Sequence, residues 1–495
     1  MPGVSFWTWC TLSTVIAYWT WQRHRRLPLP PLLTGADKLQ GARWEIYAAL
    51  CKTISPIATI NSVGVPVLIL STVEATLELF SKRSNFSCRP RWPMADLLGR
   101  QNNVGFQYYG ERLKQSRKIL NHSLNPSAVR DIWAALLEES STGLMQRFLK
   151  SPDTFYHNVE WSVDTLIFRF TYGREPDHEY IEQAESAMNA TNEALQPGKW
   201  WINTVPSLAY IPSWMPGAGF QRWARSAREK YATMIRDPFL RVQDDMASGD
   251  IPMSFVNHAL QASENTSASN EIIMSAAGSL FSAGTETLVA SILNIVLLLT
   301  LHPEVQERAY SELVAAIGSD RLPTLEDQMS LPYVDLIIQE CQRISPPVPL
   351  VGHSNIREDT YLGYRIPKKS WVLANIWGML HDDSNYTRPL DFDPDRFASV
   401  EGHQTPMDPR NLVYGLGRRI CPGMHFANSF VFLVAAKLVA CFELVPIERD
   451  GTKLPPPLQY TTGLICKPQP FMCIFKPRTH AAEILSERDE QSTVV

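Results

Sequence analysis

No two cysteines in this sequence form a CxxC pair, no histidines form HExxH, and no cysteine–histidine cluster of zinc type occurs. The eight cysteines stand apart at positions 10, 51, 88, 341, 421, 441, 466 and 473. That scatter excludes a disulfide-stapled secreted scaffold and fits reduced thiols in a cytosol-facing protein. A basic excess is absent too. Net charge is −4 and the isoelectric point about 6.3, so nothing calls for a nucleic-acid partner. After Thr34 there is no low-complexity linker and no internal repeat. Hydrophobic residues make up 45% of the 495, enough for a large core and too many for a disordered chain.

Charge is also missing from one particular place. Residues 4–21, VSFWTWCTLSTVIAYWTW, carry none over 18 positions, about the minimum for a membrane-spanning helix. Trp7, Trp9, Trp19 and Trp21 lie near the two ends, where indole rings favour the lipid–water interface. Arg23, Arg25 and Arg26 follow and hold that end in the cytosol. A cleaved signal peptide would carry its charge before the apolar run and a small-residue cleavage site after it. The pattern predicts a single-pass anchor over 4–21. A basic and proline-rich hinge follows over 22–34, its RLPLPP stretch a stiff extended spacer.

Beyond the hinge, short β-rich patterns occur at 58–71 and again over 350–380. Helical patterns dominate from about 110 to 345. The expected fold is mainly α with small β sheets: one large domain over 35–480, preceded by the transmembrane helix and followed by a polar tail at 481–495. Residues 272–301 are apolar enough to be read as a second span. Glu286 and Asn294 in their middle argue for a core helix beside a cavity instead.

The stretch YGLGRRICPG, 414–423, sets one cysteine in a glycine-rich turn before an apolar helix. A phosphate loop fails, because Ile420 stands where GxGxxG needs glycine. A buried structural thiol and a sulfur ligand for a metal both remain open from this stretch alone. The local features favour the ligand. Pro422 suits the first position of a helix, which would put Cys421 at the positive helix end and favour its thiolate. Gly417 and Gly423 permit close approach of a flat group, and Arg419 offers donors to an anion.

With Tyr414, Gly417, Arg419, Cys421 and Gly423, the stretch resembles the cysteine signature FxxGxRxCxG of the cytochrome P450 family, with Tyr for Phe. Three further family motifs follow the family order. Ala283-Gly284-Thr285-Glu286-Thr287 is similar to AGxET, Glu340-Cys341-Gln342-Arg343 to ExxR, and 392–397, FDPDRF, to the PERF region with Asp395 for Glu. The resemblance spans essentially the whole chain.

It implies haem b (iron protoporphyrin IX) with Cys421 as the axial iron ligand. Arg419, Arg117 and His353 would meet the propionates, and Gly417, Gly423 and Tyr414 would shape the cysteine loop. It implies a buried network of Glu340, Arg343 and Arg396, and proton delivery through Glu286 and Thr287. It further implies a substrate cavity walled by Phe281, Ala283, Val348, Leu350, Val351 and Leu464. The last follows Thr461, Thr462 and Gly463. Each reading has a plainer rival: a surface Glu340–Arg343 pair, a polar pair at a helix kink, a solvated strand histidine. Leu113 stands where the family has tryptophan in WxxxR, which removes one expected propionate donor. Lys114, Arg117 and Lys118 form a basic patch suited to an acidic flavoprotein.

The resemblance therefore implies a membrane-anchored monooxygenase. It would put one oxygen atom of O2 into a lipophilic small molecule, in the manner of fungal secondary-metabolism enzymes. Electrons would come from NADPH through cytochrome P450 reductase, with cytochrome b5 as an auxiliary donor. The expected site is the endoplasmic reticulum, with the globule in the cytosol. Alternatives are a haem-thiolate isomerase or dehydratase, which needs no proton relay, and a non-catalytic haem-binding protein.

Overall fold

The computed structural model describes residues 27–35, 41–60, 66–196, 198–250, 252–263, 266–399, 402, 404–481 and 483–485. The proposed anchor at 4–21, the first part of the hinge and nearly all of the polar tail lie outside them. The end of the hinge belongs to the fold. Leu32–Leu33 (β1) pairs in parallel with Ile57–Ile60 (β2), so the expected boundary at residue 35 falls just inside the globule.

Five strands form the main sheet. β2 runs antiparallel to Val67–Leu70 (β3), whose four residues are all buried. Leu350–Ser354 (β4) and Trp371–Asn375 (β5) complete it in the order β1-β2-β3-β5-β4. β3 and β5 run parallel, which needs a long crossover, and the helices between residues 73 and 344 supply most of it. In this register His353 faces Val372. The other sheets among the described residues have two strands each.

The helices that frame the site are Glu111–Leu124 (α1), Ala134–Lys150 (α2), Phe155–Tyr172 (α3), His178–Ala194 (α4), Gly219–Ser248 (α5), Ser267–Leu301 (α6), Pro332–Ile344 (α7) and Met424–Cys441 (α8). The long apolar helix α6 begins five residues earlier than expected. Thr266 and Ser269 form a reciprocal cap there, a polar signal that the apolar pattern does not carry. About 72% of the most apolar stretch of α6 is buried inside the protein, so it is a core helix and not a second span. Asn294 in its middle donates to Cys341 O at 2.8 Å and accepts from Tyr460 Oη at 2.8 Å. A polar group at that depth is tolerated because both of its ends are satisfied. α3 and α6 pack along each other, and glycine permits the approach: a Cβ on Gly284 would lie 3.2 Å from Ile167 Cδ1.

Candidate active site

Cys421 ends a short loop that several contacts hold. Its N–H donates to Tyr414 O at 2.7 Å, closing the turn. Gly417 has φ +57°, and a Cβ there would meet Phe80 O at 2.2 Å. That glycine is therefore required by the protein's own backbone passing behind the loop. Helix α8 starts at Met424, so Pro422 precedes the helix instead of opening it. The Pro422–Gly423 turn aims the Gly423 N–H at the sulfur. Burial raises the Cys421 thiol above its ordinary value, while that N–H and the charge of Arg117 lower it. The residue nonetheless has accessible surface. A sulfur that is densely surrounded and still accessible faces an internal cleft.

Helix α6 carries an accessible stretch of its own. Ala283 is accessible and Thr287 half-buried, one turn apart on a helix that is otherwise core. The Thr287 hydroxyl donates to Ala283 O at 2.9 Å. Burial raises the Glu286 carboxyl, while Lys467 and Asn192 hold it partly down.

At the edge of the cysteine loop three guanidiniums converge without a carboxylate. Arg419 is buried and gives its donors to backbone carbonyls: Ser87 O at 2.7 Å, Gln107 O at 2.6 Å and Val104 O at 3.5 Å. Arg117 donates to Ile420 O at 2.8 Å. Arg89, which sequence reasoning missed, donates to Gly352 O at 2.6 Å and Gly105 O at 3.0 Å. Burial first, then the charges of one another, push Arg89 down to about 10 and Arg419 to about 9. Among the described residues none of the three has an ion-pair partner. His353 stacks on Phe80 at 3.8 Å and hydrogen-bonds Phe86 O through Nδ1 at 2.9 Å. Its Nε2 is buried without a partner among the described residues, and burial next to Arg89 and Arg419 keeps the ring neutral. Such a cradle fits a dianionic group beside a thiolate. The residues present therefore fit haem, sulfur below and cations at the rim.

The structural network is complete. Arg343 donates to Glu340 through Nε (2.7 Å) and Nη2 (2.8 Å), and to Leu380 O, Pro389 O and Asp391 O. Arg396 Nε and the Asp393 N–H both reach Glu340 Oε1, at 3.0 and 2.9 Å. Both ends of the Glu340–Arg343 pair are fully buried, so it is no surface pair.

Two observations complete the comparison with known proteins. The profile described as Cytochrome P450 matches residues 23–475. The chain is 33% identical over 474 residues to "Cytochrome P450 monooxygenase 208" of Postia placenta, covering 93% of this chain and 92% of that protein.

The chain belongs to the cytochrome P450 family.

It is similar as well to "Cytochrome P450 monooxygenase ppsD" of Aspergillus oryzae, at 32% identity over 93% of this chain and 88% of that protein. A zebrafish cytochrome P450 structure with progesterone shares the fold, with TM-score 0.74 and 21% identity over 89% of this chain and all of that one. This P450 is accordingly a haem-dependent monooxygenase.

The other predicted residues of this P450 fall in different places. Leu113 is buried in the helical core, one turn before Arg117, and its side chain has no donor to offer a propionate. Arg117 turns inward, which leaves Lys114 and Lys118 as the exposed part of the basic patch. Phe281 packs edge-on against Phe168 and Tyr180 at the meeting of α3, α4 and α6. Val351 packs with the sheet cluster and Val348 beside it. Leu350 joins Trp44, Cys466 and Tyr460, while Leu464 is 56% exposed on its loop. The pocket residues are thus spread over several packing clusters. Arg89 could have been suspected from its spacing two residues before Arg91 in an otherwise apolar segment, but no motif marks it.

Proposed function

We propose that this monooxygenase oxidises a lipophilic small molecule of fungal secondary metabolism at the membrane surface, with electrons from NADPH through a flavoprotein reductase. The overall balance is R–H + O2 + two electrons + two protons giving R–OH + H2O. Haem supplies dioxygen activation when bound. The chain's residues do the rest. Cys421 would ligate the iron. Arg89, Arg117, Arg419 and His353 would hold the propionates. Glu286 and Thr287 would hold and pass protons on the cleft side of α6. The carrying observation is the pairing of an accessible, densely surrounded Cys421 thiol with a cationic rim that has no carboxylate of its own.

The Thr287 hydrogen is committed to Ala283 O, so its oxygen lone pairs face away from that bond. On that side the hydroxyl oxygen can accept a hydrogen bond from water or from the protonated Glu286 carboxyl. A haem-thiolate isomerase would not use this arrangement, which favours the oxygenase reading. Reductase docking is supported by the exposed Lys114, Lys118 and Arg418. Membrane attachment is supported by the apolar 4–21 run and by Trp201, Tyr210 and Trp214, which are 75%, 88% and 80% exposed. Removal of residues 1–26 should release the protein only in part from washed membranes. Complete release would refute a second contact through those aromatics.

The deciding experiment pairs a spectrum with a product search. Cys421→Ala should abolish the ferrous-CO band of thiolate ligation, and a normal band would overturn the ligand assignment. Feeding terpenoid, indole and polyketide scaffolds with reductase and NADPH, followed by mass spectrometry, should reveal a product 16 mass units heavier than one of them. NADPH-independent conversion would favour an isomerase.

A further inference from the structure

Near Glu286, α3 and α4 bring further ionisable groups to α6. Ile167 of α3 packs on Gly284, and Asp164 lies one turn before Ile167 on the same helix. Glu160 lies one turn earlier again. Lys467, from the C-terminal loop, pairs with Glu160 at 3.1 Å and sits 5.5 Å from the Tyr156 ring. From α4, Asn192 lies beside the Glu286 carboxyl and lowers it, and Glu185, two turns before Asn192, shares that face of the helix. Asp164 differs from all of these. It is half-buried and makes no hydrogen bond or ion pair to any described residue. Glu160 keeps 39% of its side-chain exposure and Glu185 is exposed. Glu160 and Glu185 thus reach solvent, while Asp164, Glu286 and Thr287 are half-buried.

Resting on the monooxygenase reading, we propose that Asp164 is a positioning residue for proton supply, relaying protons from the solvent end at Glu160 and Glu185 to Glu286. In each cycle the Asp164 carboxyl gives its proton to the Glu286 carboxylate through intervening water. It then takes one back from solvent, so no charge accumulates. Burial and then the negative charges of Glu160, Glu185 and Glu286 raise the Asp164 carboxyl to about 7, against the charge of Lys467. A carboxyl so placed is about half protonated at neutral pH, the condition under which a relay group both gives and regains a proton readily. A structural aspartate would be expected to have a partner; this one has charged neighbours and none bonded to it.

The test reads Asp164 in two ways on the full haem-loaded chain. Infrared difference spectra between pH 6 and 8 should show a carboxyl C=O band with its midpoint near 7. The band should vanish in Asp164→Asn. Its midpoint should fall in Glu286→Gln, which removes a nearby negative charge, and rise in Lys467→Gln. NADPH consumption is then followed under air with reductase and no added substrate. Asp164→Asn should slow it on the order of tenfold, enlarge the solvent isotope effect and flatten its dependence between pH 6 and 8. Asp164→Glu should restore all three. The asparagine removes a buried charge and should fold, which haem content and melting temperature verify. Parent-like rate and isotope effect in Asp164→Asn, or a band that survives that substitution, overturns the relay. A parent protein that consumes no NADPH overturns the monooxygenase reading instead, and the infrared midpoint in Glu286→Gln still decides whether the two carboxyls communicate.

Discussion

The Tyr414 hydroxyl donates to Asn428 Oδ1 across 2.5 Å while accepting from Gln342 Nε2 at 3.1 Å. It ties the loop that carries Cys421 to helix α8 on one side and to the Glu340–Arg343 helix α7 on the other. Phenylalanine, the usual residue in the family signature, could make neither bond. Tyr414→Phe leaves the Asn428 carbonyl and the Gln342 amide short of a partner in a half-buried site. Unsatisfied groups of this kind cost about 1–3 kcal/mol. The expected outcome is a lower melting temperature of the haem-loaded protein with thiolate ligation retained, checked by thermal denaturation beside the ferrous-CO spectrum. An unchanged melting temperature would show that the two amides find new partners.

Glu340 is the hub of the second network. Its two oxygens receive two guanidiniums and one backbone N–H in a site with no solvent contact. Glu340→Gln keeps the shape and leaves two buried positive charges without their carboxylate. Breaking a buried pair in this way costs about 3–5 kcal/mol. Low haem incorporation and an early unfolding midpoint in denaturant should follow. A variant as stable as the parent would mean that the carbonyls of Leu380, Pro389, Thr387 and Asp391 suffice to hold both arginines.

Much of this arrangement can be read in the sequence because its parts are local. Glu340 and Arg343 share a helical face by spacing, and the cysteine loop announces itself through Gly417, Cys421 and Gly423. The two apolar periodicities separate sheet from helix, and Asn294 and Glu286 mark α6 as a core helix. What was not legible depends on contacts between distant segments. Arg89 enters the site only because the chain near Ser87 folds over Arg419. Gly417 answers to Phe80, more than three hundred residues away. The start of α6 depends on a Thr–Ser cap, and Pro422 yields its helical position to a turn that serves the sulfur. The spacing to Arg117 marks Leu113, whereas its burial is settled by packing within the helical core.

A tryptophan at position 113 would have two opposing effects. It would add a propionate donor if the side chain faced the rim. Buried at 1% exposure in the helical core, Leu113→Trp also overpacks, which costs typically about 1–3 kcal/mol. Arg89 is the rim guanidinium expected to stand in for that donor. A hydrogen bond to a charged group contributes about 1.5–3 kcal/mol, or roughly ten- to a hundredfold in an equilibrium. Arg89→Ala should therefore speed haem transfer to an acceptor protein within that range. Leu113→Trp should lower the melting temperature without slowing the transfer. Slower haem loss in Leu113→Trp would place that helix face at the haem after all.

Asp164 also makes a prediction that needs no turnover. Its carboxyl is raised from an ordinary value of 3.8 to about 7 in the folded protein, by burial and then by Glu160, Glu185 and Glu286. For an acid raised on folding, the favourable contribution is full below the unfolded-state value near 4. It is lost as pH rises through the folded-state value near 7. Ionised Asp164 is therefore a burden on the fold at pH 8 and none at pH 4. Three units correspond to roughly 4 kcal/mol at most, and water reaching a half-buried carboxyl reduces that figure. Asp164→Asn, which cannot ionise, should melt at a higher temperature than the parent at pH 8. The advantage should shrink steadily toward pH 5. Melting curves of both proteins across that range decide the matter. A difference that does not vary with pH would mean that Asp164 ionises as an ordinary surface carboxylate and that its neighbours' charges do not reach it.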